Sequence, residues 1–194
     1  MTDEEIIAEF RAAEALLTGH FILTSGLRSD TYLQCARVMM DAKRGGRLCA
    51  ALGEKLKASG AGPFDIVASP AMGGVVVGYE MGRQLGVPAI FFERVDGQFT
   101  LRRGFQIEKG ARVLMVEDVV TTGLSSRECL KAIAGEGGDP VAAACLVDRS
   151  GGTSDVGVPL TPLLRLDIKN HSPDNLPPEL AAIPATKPGS RGMK

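Results

Sequence analysis

The sequence predicts an α/β fold: a mostly parallel sheet of about five strands flanked by helices. Three observations predict it. Short, almost wholly apolar runs bounded by turn signals recur at residues 64–68, 87–92, 113–116 and 141–147, as suits strands buried on both faces. Helical patterns separate them, with Leu48, Leu52 and Leu56 on one face of residues 41–59 and with Leu124, Cys129, Leu130 and Ile133 recurring later. Two of the runs lead through small residues straight into such a helix. At 194 residues and 44% hydrophobic content, one globular domain over 1–194 with a substantial core is expected.

Thr2-Asp3-Glu4-Glu5 is a capping-box pattern with an acidic first turn. Ile6, Ile7, Phe10, Ala13, Leu16 and Leu17 follow at helical spacing, and Gly19 stops them, predicting a helix to Leu17. Residues 21–23 and 27–32 suit a hairpin about Ser25-Gly26, beside a lone histidine, His20. The helix over 41–59 ends at Gly60 and Gly62-Pro63. The strand at 64–68 then runs through Ser69-Pro70-Ala71-Met72-Gly73-Gly74 into a helix over 75–85. The strand at 87–92 ends in Glu93-Arg94. The polar stretch 95–110 reads as a hairpin turning at Asp96-Gly97, as a mobile lid, or as both. After the strand at 113–116 come Glu117 and Asp118, then Thr121-Thr122-Gly123 and a helix. Residues 135–140 break the pattern, and the strand at 141–147 ends in Asp148-Arg149-Ser150-Gly151-Gly152. Residues 161–168 suit a last strand. The tail from His171 is expected to wrap the surface or fray.

Composition excludes several function classes. A formal net charge of −1 gives no broad basic footprint for nucleic acid or an anionic membrane. No run of about 18 apolar residues suggests a membrane span, and the acidic, amphipathic N-terminus is unlike a secretory signal. Cys35, Cys49, Cys129 and Cys145 are widely spaced, so buried reduced thiols in a cytoplasmic protein are expected rather than disulfides or a zinc site.

The chemistry concentrates in residues 112–129, RVLMVEDVVTTGLSSREC. In open α/β sheets, ligands bind beyond the carboxyl ends of the strands. Small residues there expose backbone N–H groups, and the following helix start adds a positive dipole end, so such a loop can hold a phosphate. The carboxylates just upstream can accept hydrogen bonds from vicinal hydroxyls, as on a ribose. The loop at 69–74 repeats the same logic. An arginine at a strand's end, such as Arg149, can fork bidentately onto a planar carboxylate.

The apolar strand followed by Glu-Asp-Val-Val-Thr-Thr-Gly and then Ser resembles the phosphoribosyl pyrophosphate (PRPP) signature of the type I phosphoribosyltransferases. Phe21, Leu23, Ser25 and Gly26, followed by Arg28, Ser29 and Tyr32, are similar to the N-terminal segment of the orotate phosphoribosyltransferase family, and Leu101-Arg102-Arg103-Gly104-Phe105 before the PRPP strand resembles a branch of the same family. The resemblance implies a type I phosphoribosyltransferase fold, with a core over about 36–170, a flexible catalytic loop, and a small hood from about 1–35 plus the C-terminal segment. It implies transfer of ribose 5-phosphate from PRPP to orotate, giving orotidine 5′-monophosphate and pyrophosphate in UMP biosynthesis. Glu117 and Asp118 would hold the ribose hydroxyls, and Val119, Val120, Thr121, Thr122, Gly123, Leu124 and Ser125 the 5′-phosphate. Ala71, Met72, Gly73 and Gly74 would form the pyrophosphate loop, and Thr121 and Arg149 would contact orotate. Arg94, Arg102 and Arg103, with Asp118, would be the catalytic set. Mg²⁺ would be held mainly through PRPP, without direct side-chain ligation. A homodimer sharing that loop across subunits is also implied. The chain departs from many relatives in having Thr24 and Gly73 where they carry lysine, and in lacking Lys or His between Arg94 and Gly104. Backbone amides rather than a side-chain charge are therefore expected to bind at Gly73. Two other readings of the same fold are an enzyme for a purine or other base and a non-catalytic PRPP-sensing regulator.

Overall fold

The computed structural model describes residues 1–23 and 25–187. Helix α1 (Asp3–Ala12) starts as its sequence dictates: Glu5 N donates to Thr2 Oγ1 at 3.3 Å, and Thr2 N donates to Glu5 Oε2 at 2.8 Å. It is shorter than its apolar spacing suggests. Glu14 takes a left-handed φ of 51°, and Leu16 and Leu17 enter strand β1 (Leu16–Ile22). Leucines at these positions fit either period. Pairing with Leu33 and Tyr32 of β2 (Arg28–Leu33) decides for the strand.

The short strand β9 (Asn170–His171) joins the other edge of β2, making a three-stranded hood sheet in the order β1-β2-β9. The described part of the C-terminal tail packs onto this sheet. Ile22 N donates to Thr186 O and Thr186 N to His20 O, both at 2.8 Å. Buried His20 bonds through Nδ1 to the Ile183 carbonyl at 2.9 Å, just past α6 (Pro178–Ala181). The lone histidine thus straps the C-terminal segment to the hood. Thr24 and residues 188–194 lie outside the described residues.

The core sheet contains β3 (Ile66–Pro70), β4 (Ala89–Val95), β5 (Gln98–Leu101), β6 (Arg112–Val120), β7 (Asp139–Asp148) and β8 (Leu160–Arg165). Their order is β5-β4-β3-β6-β7-β8, all parallel except β5. The sixth strand beyond the expected five is β5, formed because Asp96 (φ 49°) and Gly97 (φ 82°) turn residues 95–98 into a tight hairpin. Helix α3 (Ala42–Ala58) is capped by Asp41, whose Oδ1 accepts from Lys43 N and Arg44 N at 2.9 and 3.1 Å. The five-residue α2 (Cys35–Met39) before it was not predicted; it has no side-chain cap to announce it.

On one face of the sheet, Leu48, Leu52 and Leu56 of α3 and Val77 and Met81 of α4 (Gly74–Leu85) pack on Val67, Leu114 and Leu146. On the other, Cys129 and Ile133 of α5 (Leu124–Gly135) pack on Met115, Ala143 and Cys145. Helix α4 lies almost on the sheet backbone. A Cβ at Gly74, Gly78 or Gly82 would meet Val116 O at 2.9 Å, Ser69 Oγ at 1.8 Å and Val87 O at 2.9 Å, respectively. This four-residue spacing puts all three glycines on one helix face, and it brings the start of α4 close against β6. The four cysteines are buried and unpaired. Among the described residues, no helix is long and apolar enough to cross a membrane.

Candidate active site

The carboxyl ends of three adjacent parallel strands, β3, β6 and β7, lie side by side and carry the chemistry. β6 runs further than its apolar core: Glu117 pairs with Cys145, Val119 with Val147 and Val120 with Asp148. The two acids are therefore inside the ladder rather than beyond it, and strand alternation sends them to opposite faces. Glu117 is only 7% exposed and accepts a hydrogen bond from Ser126 Oγ in the first turn of α5. Asp118 faces the other loop. A Cβ on Gly73 would lie 2.7 Å from its Oδ1 and 2.8 Å from its Oδ2. Burial raises the pKa of both carboxyls, partly offset at Glu117 by Ser126 and Ser125 and at Asp118 by backbone N–H groups.

The bend Thr121-Thr122-Gly123 is held by its carbonyls. Ser154 Oγ donates to Thr121 O, and Arg127 Nη1 donates to Thr122 O at 3.2 Å and also to Asp155 O. In a planar trans peptide the N–H points opposite to the C=O. Pinning these two carbonyls outward therefore turns the Thr122 and Gly123 N–H groups the other way. The amides of Thr121, Thr122 and Gly123 find no acceptor among the described residues, and Leu124 N reaches only Thr122 Oγ1 at 3.4 Å. No side chain caps α5. Gly123 has φ 72°, and a Cβ there would crowd Arg127 Nη1 at 3.0 Å and Asp155 O at 3.1 Å. The result is a row of orphan donors at a helix's positive end, an anion cradle. Helix α4 likewise starts without a side-chain cap, at Gly73.

Residues 40–159 match the family model described as the phosphoribosyl transferase domain. Over 191 residues the chain is 63% identical to the orotate phosphoribosyltransferase of Rhizorhabdus wittichii, spanning 98% of this chain and 97% of that one. With the orotate phosphoribosyltransferase of Sphingopyxis alaskensis it shares 60% over 194 residues, 100% and 99% of the two chains.

The chain belongs to the orotate phosphoribosyltransferase family.

Among solved structures it is similar in fold to orotate phosphoribosyltransferase from Aeropyrum pernix, at a TM-score of 0.69 and 24% identity over 83% of this chain and 93% of that one. Leishmania donovani UMP synthase superposes with a TM-score of 0.72 at 20% identity, over 86% of this chain and 37% of that one. The architecture is the family's type I phosphoribosyltransferase fold, and a member of this family is a transferase.

Against the family's expected residues, the structure gathers Asp118, Glu117, Ala71 to Gly74, Thr121 to Ser125 and Arg149 at the carboxyl ends of the sheet. The backbones of Val119 and Val120 are in the ladder with β7, so the open amides begin at Thr121. Arg149 follows β7, its N–H donating to Val120 O at 3.0 Å. Its half-buried guanidinium donates from Nη2 to Asn170 Oδ1 at 2.9 Å, and among the described residues no carboxylate pairs with it. Desolvation lowers its pKa, with the charge of Asp30 opposing the shift.

The three other arginines are engaged elsewhere. Arg94 bonds Glu128 Oε2 of α5 at 2.6 Å and Gly97 O at 2.7 Å, and lies 4.1 Å over the Phe99 ring. Its charge still reaches Glu117, favouring the carboxylate there. Arg103 Nη2 bonds Glu93 Oε1 at 2.7 Å, and Arg102 Nη1 is 3.7 Å from Glu93 Oε2. Glu93 follows Phe92, whose carbonyl accepts from Ala71 N at 2.8 Å, so this cluster borders the 71–73 loop. Sequence reasoning did not single out Ser126, Arg127, Ser154 or Asn170. Ser126 and Arg127 stand inside the 112–129 string and Ser154 in a Gly/Ser/Asp-rich loop, but their partners are set by folding.

Proposed function

We propose that this chain transfers ribose 5-phosphate from PRPP to orotate, giving orotidine 5′-monophosphate and pyrophosphate for pyrimidine biosynthesis. The observation that carries the reading is the amide cradle at Thr121–Ser125, directly after a half-buried carboxylate, Asp118, that meets the second loop at Gly73. The cradle takes the 5′-phosphate, Asp118 and Glu117 the ribose hydroxyls, and the uncapped start of α4 with Ala71 to Gly74 the pyrophosphate. Arg149, a half-buried guanidinium with no carboxylate paired to it among the described residues, takes the carboxylate of orotate, with Thr121 beside the base.

Orotate is already an anion, so the nucleophile requires no strong general base. The demand lies at the leaving group, where negative charge grows while the ribose becomes oxocarbenium-like. Arg102 and Arg103 answer it by exchanging Glu93 for pyrophosphate oxygens, and Arg94, held on the α5 side of β4 by Glu128, joins them by giving up that carboxylate. Mg²⁺ keeps several waters and takes its other ligands from substrate phosphates; here it would be held mainly through PRPP, whose ribose Glu117 and Asp118 hold, without direct side-chain ligation, and the described residues form no cluster of three or more metal-binding side chains. When bound, it would neutralise charge on the phosphate oxygens.

The reading includes a homodimer. Met72 just before α4, and Val76 and Tyr79 on it, are 83%, 53% and 70% exposed. Such a set of exposed side chains suits a second copy, and it begins in the 71–73 loop, where a neighbour's arginine loop would enter. It also includes a cytoplasmic enzyme, supported by four buried unpaired thiols. The test is loss of orotate absorbance with purified protein, with and without PRPP and Mg²⁺, alongside adenine and xanthine. Orotate consumption that requires both additions is expected. None at all, or consumption of a purine instead, would end the reading.

A further inference from the structure

Asn170 holds Arg149 from the hood side. Its place is set by the hood ladder, where Ser29 pairs with Asn170 and Arg28 with His171, and by Ser29 Oγ donating to Lys169 O at 3.4 Å. From β9 the side chain reaches to the end of β7 and accepts from Arg149 Nη2 at 2.9 Å. Because arginine only donates, the atom facing it must be the amide oxygen, which leaves the Nδ2 hydrogens as donors. The guanidinium's other edge keeps its remaining N–H groups. Asp30 is near enough to be felt by Arg149 but makes no ion pair with it. The guanidinium is thus oriented by a neutral partner in a half-buried place, with only the longer-range charge of Asp30 acting on it. Such an arrangement is costly unless an anion completes it. A carboxylate at position 170 would complete it permanently.

We propose that Asn170 is a positioning and specificity-determining residue: it orients the Arg149 guanidinium and, by being uncharged, reserves it for a base that carries a carboxylate. This rests on the reading of Arg149 as the partner of orotate's carboxylate. Aspartate is nearly the same shape as asparagine and keeps an oxygen acceptor for Nη2. A residue that merely tethers would tolerate it, whereas a residue whose neutrality matters would not.

The experiment compares Asn170→Asp, Asn170→Ala and Arg149→Ala, reading kcat and the KM for orotate and for PRPP, with folding checked by circular dichroism. Asn170→Asp is expected to raise the orotate KM about tenfold or more, as charge pairs of this kind are worth, with the PRPP KM within about twofold of wild type. Asn170→Ala, which loses orientation but adds no charge, is expected to raise the orotate KM by about threefold, roughly half of a tenfold free-energy step. An orotate KM for Asn170→Asp equal to wild type, or no worse than for Asn170→Ala, would overturn the proposal. Should the aspartate variant not fold, Asn170→Ala decides alone: an unchanged orotate KM, or equal rises in both KM values, overturns it. If Arg149→Ala leaves the orotate KM unchanged, the reading of Arg149 falls. If Arg149→Ala raises it and Asn170→Asp does not, only the role of Asn170 falls.

Discussion

Replacing Gly73 by alanine probes the site where its two loops touch. Gly73 has φ −59° and ψ −41°, a conformation any L residue adopts, so the backbone does not resist the change. Space does. The new Cβ would lie 2.7 Å from Asp118 Oδ1, 2.8 Å from Oδ2 and 2.9 Å from Cγ, whereas ordinary contact begins near 3.4 Å, so about 0.7 Å (3.4 − 2.7) must be found. Asp118 is short and has little slack to give. Overpacking of this sort costs about 1–3 kcal/mol, against about 0.4–1 kcal/mol regained from the less flexible unfolded chain. The melting temperature should therefore fall by less than about 12 °C, at about 2–4 °C per kcal/mol for a chain of this size. Activity should fall further, because moving a reacting group by about 1 Å can cost about 100-fold. We expect kcat/KM for PRPP to drop 10- to 100-fold (about 1.4–2.8 kcal/mol). The assay is orotate consumption followed by absorbance, with Asp118→Asn and the double variant completing a cycle. Asp118→Asn alone should lose about 100-fold, and Gly73→Ala should add almost nothing to it. Wild-type activity in Gly73→Ala, or strictly additive losses in the double variant, would refute the contact as the cause.

Three further outcomes follow from the same geometry. Burial raises the pKa of Glu117, so the fold favours its neutral form: stability is greatest below its ordinary value of 4.5 and falls as pH rises through the raised value. Glu117→Gln should therefore melt higher than wild type at pH 8 and converge with it near pH 4 (about 0.5 units below that ordinary value); a gap independent of pH in thermal scans would contradict this. Arg127→Ala releases the Thr122 and Asp155 carbonyls, and should raise the PRPP KM by about tenfold while leaving the orotate KM within about twofold; isothermal titration with PRPP showing unchanged affinity would count against the cradle. Arg102→Ala/Arg103→Ala subunits mixed with Asp118→Asn subunits should recover about a quarter of wild-type activity, as random pairing gives one intact site in half of the dimers. Absence of any recovery would show that the loop serves its own subunit.

Features set by neighbours in the chain could be read before the fold was known. The Thr2–Glu5 capping box, the helix pattern from Asp41, the Asp96-Gly97 turn and the apolar run leading into Glu117-Asp118 each depend on residues a few positions apart. So does the glycine-ended bend at Thr121–Gly123, and with it the expectation of a phosphate site. Helix α1 shows the limit of such reading. Leu16 and Leu17 satisfy two periods equally, and only pairing with Leu33 and Tyr32 made them a strand.

By itself the sequence determined the order of the core's parallel strands and of helices α1, α3, α4 and α5, the identity of the acid pair and the amide-rich bends, because each is a local property of side-chain type and spacing. Tertiary structure alone decided that Asp118 presses on Gly73, that Ser154 and Arg127 hold the bend's carbonyls, that Glu93 and Glu128 hold the arginines, and that Asn170 orients Arg149. Most of these contacts join segments tens of residues apart. They depend on which strands lie side by side and which way each side chain leaves its strand, and neither is written in any short stretch of chain.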